Sequence, residues 1–245
     1  MINNIEAARV LYRYGKKDDA TSILRHTWEN PENQSQAFEA FLGLMEAWIA
    51  QDKESTQLHL EEMVSGYGPN AEFWNECSLS EQSIIFEWLG QIQIQTDNRQ
   101  SAFESLSRAA SLGRDTSLLW RLLGDCCIDR QELDLTIRYL KRSLSLYRQL
   151  DLDVLSGRNF AMGSFTGKDP LSWSHGANDF LHILLKVTKV AKGKRNLKAA
   201  RELLMEMLHQ FPNDDRLPKL RLMIERSIVE HSLFEPESRQ AQLTR

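Results

Sequence analysis

The sequence predicts an all-α fold built from repeated helix pairs, on three observations. Leucine occurs 35 times against 6 valines, and the chain of 245 residues holds only 12 glycines and 6 prolines, so straight-chain helix formers dominate over sheet and turn formers. Apolar residues recur at helical spacing between short polar breaks. Residues 86 to 114, moved forward by 34, fall on 120 to 148 with like on like: Phe86 on Trp120, Leu89 on Leu123, Gly90 on Gly124, Ala102 on Thr136, Leu106 on Leu140 and Ala109 on Ser143.

The elements follow in order. A first pair near residues 5–28 has Ala8 and Leu11, a break from Lys16 to Asp19, then Ala20, Leu24 and Thr27, with Pro31 as terminator. A second near 35–64 carries Leu42 and Gly43, then Thr56, Leu60 and Met63. Residues 65–79 exceed the period and read as an irregular insertion around Gly66, Gly68 and Pro69. The third and fourth pairs, near 80–112 and 115–149, are broken at Thr96-Asp97-Asn98 and at Asp129-Arg130-Gln131. In each, a glycine on the first helix (Gly90, Gly124) faces a small residue on the second (Ala102, Thr136), which lets two antiparallel helices approach closely. Residues 150–176 form a second irregular insertion, rich in glycine and holding Phe160, Phe165 and Trp173. The fifth pair, near 177–210, places Leu184, Val187, Thr188 and Ala191 before the turn and Ala200, Leu204 and Met207 after it. Asp214 to His231 read as a capping helix with Leu217, Leu220, Met223, Ile224 and Ile228 on one side, and residues 235–245 as a polar tail to a single domain spanning 1–234.

A period of 34 with a large aromatic, Leu and Gly on the first helix, then small, large, small on the second, resembles the tetratricopeptide repeat. The unit from Ser117 to Leu150 matches best, through Trp120, Leu123, Gly124, Thr136, Leu140 and Ser143. Cys127 stands where the family has Tyr, Arg148 where it has Pro, and Gln93 takes the Tyr place of the preceding unit. The resemblance implies a right-handed α-solenoid of about five pairs whose first helices line a concave groove for a peptide or helix of another protein. Carried over, the groove positions are Glu87, Gln91, Ile94 and Gln95 in the third pair and Arg121, Asp125, Ile128 and Asp129 in the fourth. His182, Leu185, Lys189 and Lys192 follow in the fifth. Chaperone-binding members of the family grip a terminal carboxylate with Lys and Asn; Gln91 and Asp125 stand at the corresponding places here, so that ligand is not expected.

The net charge of −4 conceals segregation. Glu54 to Asn98 holds eight acidic residues and no Lys or Arg, whereas Phe180 to Arg201 holds seven cations and no Asp or Glu. Separation of this kind orients a charged partner and speeds encounter. Lys186, Lys189 and Lys192 recur every third residue and share one helix face. The basic stretch 186–201 is an alternative site for an acidic protein surface or for nucleic acid. The second is disfavoured by a pI of 5.9 and by the absence of aromatics among the lysines.

An enzyme is the minor expectation. The six histidines are scattered, with no H-E-x-x-H and no C-x-x-C, so neither a metal nor a cofactor is expected. Cys126 and Cys127 point about 100° apart on a helix and read as buried thiols. The Gly163–Lys168 stretch falls short of a phosphate loop in spacing and lacks a preceding strand. The remaining catalytic alternative is a small site in the 150–176 loop. With no apolar run long enough to span a membrane and no apolar leader, a cytoplasmic location is expected. The sequence thus leads to a non-catalytic scaffold or assembly factor that holds a protein partner, with Trp173 as a further contact and no small-molecule ligand indicated.

Overall fold

The structure, a computed structural model, describes residues 4–67, 70–155, 177–190 and 194–240. Twelve α-helices and no strand occur among the described residues: α1 (Asn4–Arg13), α2 (Lys17–Glu29), α3 (Gln34–Gln51), α4 (Lys53–Val64), α5 (Ala71–Glu76), α6 (Leu79–Gln95), α7 (Arg99–Ser111), α8 (Ser117–Asp129), α9 (Leu133–Leu155), α10 (Ala177–Val190), α11 (Lys194–Gln210) and α12 (Arg216–Gln240). Polar side chains start several of them. Asn33 accepts from the Gln36 amide ahead of α3, Asp52 from the Glu54 and Ser55 amides ahead of α4, and Thr116 from the Leu119 amide ahead of α8. Ser78 and Glu81 form a reciprocal capping box at α6.

The helices divide into two compact units, one within Met1–Arg114 and the other made of described residues from Asp115 onward. In the first, α1 packs on α2, α2 on α3, α3 on α4, α4 on α5 and α6, and α6 on α7. Its cores are Ile5, Ala8, Ala20, Leu24, Ala40 and Leu44 at one end, and Phe41, Met45, Ile49, Leu60, Met63, Ile85, Leu89 and Ile92 further along. In the second, α8 packs on α9 and α10, α9 on α11, α10 on α11, and α11 on α12, around Leu140, Leu144, Phe180, Leu184, Leu204, Met207, Leu217 and Ile224.

The 34-residue period is visible in the backbone. Asp97 and Gln131, one in each unit, both adopt left-handed φ, at 61° and 60°. Around them the Asn98 amide donates to Gln93 O at 2.7 Å and the Glu132 amide to Cys127 O at 3.0 Å, the six-to-one bond that closes a helix whose C′ residue is left-handed. Both pairs also bring a glycine against the second helix. A Cβ on Gly90 would meet Leu106 and the Ala102 carbonyl, and one on Gly124 would meet Leu140 and the Thr136 carbonyl. The nearest neighbours of the two glycines are thus the large Leu106 and Leu140 side chains, and the small residues expected to face them, Ala102 and Thr136, meet them through their carbonyls.

Several boundaries differ from the sequence reading. The insertion 65–79 contains helix α5, whose Trp74 is buried edge-on against Phe86 while Phe73 packs on Trp28 and Phe41. A helix of six residues is too short to show a period, so its aromatic contacts and not its pattern hold it. α9 runs to Leu155, into the expected insertion, and α12 stays helical to Gln240, through the start of the expected tail. Met223 is exposed, since α12 turns a narrower face of Leu217, Leu220 and Ile224 onto the core. Trp120 is half-buried, stacked on Tyr139 with its indole N–H donating to Asp115 at 2.6 Å, so it covers the edge of the core instead of filling it.

Candidate functional site

Among the described residues, the sequence-derived contact positions lie on α6, α8 and α10. On α6, Glu87 is buried with its side chain only 3% exposed and is ion-paired with Arg114. Gln91 is buried beside it, and Ile94 and Gln95 are half-buried at the C-terminal end. On α8, Arg121, Asp125 and Ile128 are buried and Asp129 is exposed. On α10, His182 and Lys189 are exposed and Leu185 is half-buried. Lys192 and Trp173, with all of 156–176, lie outside the described residues.

Two residues expected to act separately are joined. Lys186 Nζ donates to Asp125 Oδ1 at 2.7 Å, tying α10 to α8 in the second unit. The lysine expected to head a basic patch is thereby spent on a carboxylate of α8, and Arg201 is likewise paired with Glu225 at 2.6 Å. Of the basic stretch, Lys189 and Lys198 remain exposed and without an ion pair among the described residues. The α8–α10 wall thus combines buried, internally neutralised charge with an accessible rim of Asp129, His182 and Lys189.

The first unit holds a polar cluster that the sequence reading did not find. Gln93, buried at 2% exposure, donates from Nε2 to Glu61 Oε1 at 2.9 Å and accepts on Oε1 from the Ser105 hydroxyl at 2.8 Å. Gln57 donates to the same Glu61 oxygen at 2.8 Å, and the Thr96 hydroxyl donates to Gln57. Glu61, Gln93 and Ser105 of the cluster line an open groove of about 380 Å³ between α4, α6 and α7, together with the apolar Val64, Phe86 and Leu89. Gln93, a polar residue within the apolar run of α6, was the signal for it: a buried amide needs partners for both ends, and α4 and α7 supply them. A smaller hollow of about 220 Å³ lies beside Trp48 and His59. There the His59 ring meets Trp48 edge-on and bonds the Asn70 amide at 2.6 Å; burial holds its pKa below the ordinary 6.5 against the pull of Glu62.

The thiols of Cys77 and Cys127 are held protonated. Burial pushes Cys77 up to about 12, with Glu81 and Glu76 adding to it, and burial followed by Glu132 raises Cys127 to about 11. Among the described residues no group of three His, Cys, Asp or Glu side chains is placed to hold a metal ion, and no helix is long and apolar enough to cross a membrane. Compared with protein-family models, with curated proteins and with solved structures, the chain finds no match.

Proposed function

We propose that the chain is a tetratricopeptide-like helical-repeat protein, a right-handed solenoid of pairs capped by α12, that holds a partner protein along the first helices of its pairs and performs no chemistry of its own. The observation that carries this reading is the recurrence at 34 residues of one pair geometry: a glycine set against the second helix, a left-handed turn residue and the same closing bond in α6–α7 and α8–α9. Repeats with one geometry present equivalent positions at regular intervals, which suits an extended peptide or helix. In this reading Glu87, Gln91, Arg121, Asp125 and Ile128 set the shape and charge of the wall from within. Ile94, Gln95, Asp129 and Lys189 make contact.

The test is affinity capture from native extract with the wild-type chain and with an Asp129→Lys/Lys189→Glu variant, whose exposed positions leave the fold intact by circular dichroism. A protein bound by the wild type and lost from the variant supports the reading. Capture that is identical for both removes α8 and α10 as the binding face. Nucleic-acid binding through 186–201 has less support, because Lys186 and Arg201 are committed to Asp125 and Glu225. A steep salt dependence of binding to oligonucleotides, lost in Lys189→Glu/Lys198→Glu, would favour it instead.

A further inference from the structure

The charge segregation seen in the sequence leaves exposed charges of opposite sign on helices of the two units. On α4, Glu54 and Glu62 stand one turn before and one turn after Leu58, and all three are exposed, Leu58 at 59%. On α5, which packs on α4, Glu72 and Glu76 stand one turn apart and are exposed. None of these four carboxylates makes an ion pair or a side-chain hydrogen bond among the described residues, and no Lys or Arg occurs between Glu54 and Asn98 to supply one. On these two helices the one Lys or Arg is Lys53, the first residue of α4. In the second unit Lys189 on α10 and Lys198 on α11 are exposed and equally without an ion pair. Met205, two turns beyond Lys198 on the same side of α11, is exposed, and Glu202 between them is already paired with Lys141 at 3.0 Å.

We propose that the occupant of the acidic α4–α5 face is a second copy of this chain, docking its basic α10–α11 face. Leu58 then sits against the aliphatic stems of lysines whose ammonium groups reach Glu54 and Glu62. The acidic charges lie on the first unit and the basic ones on the second, so the contact joins unlike units of two copies. Exposed ion pairs contribute little each, so the association is weak, favoured at high protein concentration and strongly dependent on salt. This inference does not rest on the function proposed above.

Sedimentation of the full chain over a range of concentrations tests it. At low ionic strength the mass is expected to rise above 28.3 kDa with concentration. The apparent dissociation constant should increase at least ~10-fold on going to high salt, where the screening length falls to a few ångströms. Glu54→Lys/Glu62→Lys and Lys189→Glu/Lys198→Glu should each remain monomeric alone, and an equimolar mixture of the two should associate again. Leu58→Ser should weaken association at every salt concentration. A mass of 28.3 kDa under all conditions overturns the proposal, as does an oligomer indifferent to both charge reversals. So does a mixture that fails to restore association while both variants keep the wild-type circular dichroism. A chain that stays monomeric yet binds an oligolysine peptide on α4 also rejects the second copy, in favour of a foreign basic partner.

Discussion

Gly90 lies so close to Leu106 that a Cβ placed on it would stand 2.5 Å from Leu106 Cγ, whereas the equivalent atom on Gly124 would stand 3.4 Å from Leu140 Cγ. The first gap excludes a methyl group and the second nearly admits one. Gly90→Ala is expected to destabilise the first unit by about 1–3 kcal/mol through overpacking. Gly124→Ala should be close to neutral, its contact strain offset by the ~1 kcal/mol that Ala gains over Gly within a helix. Denaturant midpoints measure both, and Gly90→Ala combined with Leu106→Ala should cost less than the sum of the single changes.

Gln131 holds a left-handed backbone that glycine adopts without strain. Gln131→Gly is expected to stabilise the turn between α8 and α9 by up to about 1 kcal/mol. Asp97→Gly should gain less, since Asp tolerates this conformation better than Gln. Thermal unfolding of the two variants side by side gives the comparison.

Gln93→Leu keeps the volume and removes both hydrogen bonds of the buried amide. Glu61 and the Ser105 hydroxyl then lose a partner, and a cost of about 1–3 kcal/mol is expected. Adding Ser105→Ala should recover part of it, because one of the stranded groups is gone. Urea unfolding of the single and double variants reads the coupling.

Arg114 and Arg142 both pair with a carboxylate, in different surroundings. Glu87 is almost fully buried, while Asp115 is 41% exposed. Arg114→Ala is expected to cost more, on the order of 2–3 kcal/mol, because it leaves a buried carboxylate with less support. Arg142→Ala should cost under about 1 kcal/mol. Equal losses in chemical denaturation would contradict the difference in burial.

His59 is held below its ordinary pKa by burial, so the unfolded chain takes up its proton at a higher pH than the folded chain does. The contribution of the neutral ring is present above about pH 6.5 and is lost as pH falls below it. His59→Gln, whose amide still reaches Asn70, should lose less stability than the wild type between pH 7.5 and 5. Urea midpoints at the two pH values are the measurement, and parallel losses would show that folding does not lower the pKa of the ring.

Much of the helical plan was legible in the sequence. Thr56, Leu60 and Met63 on α4, Ala20, Leu24 and Thr27 on α2, and Ala200, Leu204 and Met207 on α11 are buried as their spacing indicates. The period also located both glycine approaches, because close packing of two helices admits only small residues at one level. Helix α5 was not legible, being a turn and a half long, and neither was the reach of α9 and α12 beyond their expected ends, since polar residues permit a helix without marking it.

The candidate site was legible as a set of helix positions and not as a surface. Spacing alone put Asp125 on α8 and Lys186 on α10, but their pairing depends on two helices 61 residues apart coming side by side. The cluster of Gln57, Glu61, Gln93 and Ser105 likewise joins three helices through side chains that, read singly, resemble solvated surface. Local pattern determined which residues are helical and which face each helix buries, because both follow from backbone geometry within a few residues. Which polar groups are satisfied internally and which charges stay exposed was decided only by tertiary packing, because desolvation and pairing depend on neighbours that the chain brings together from a distance.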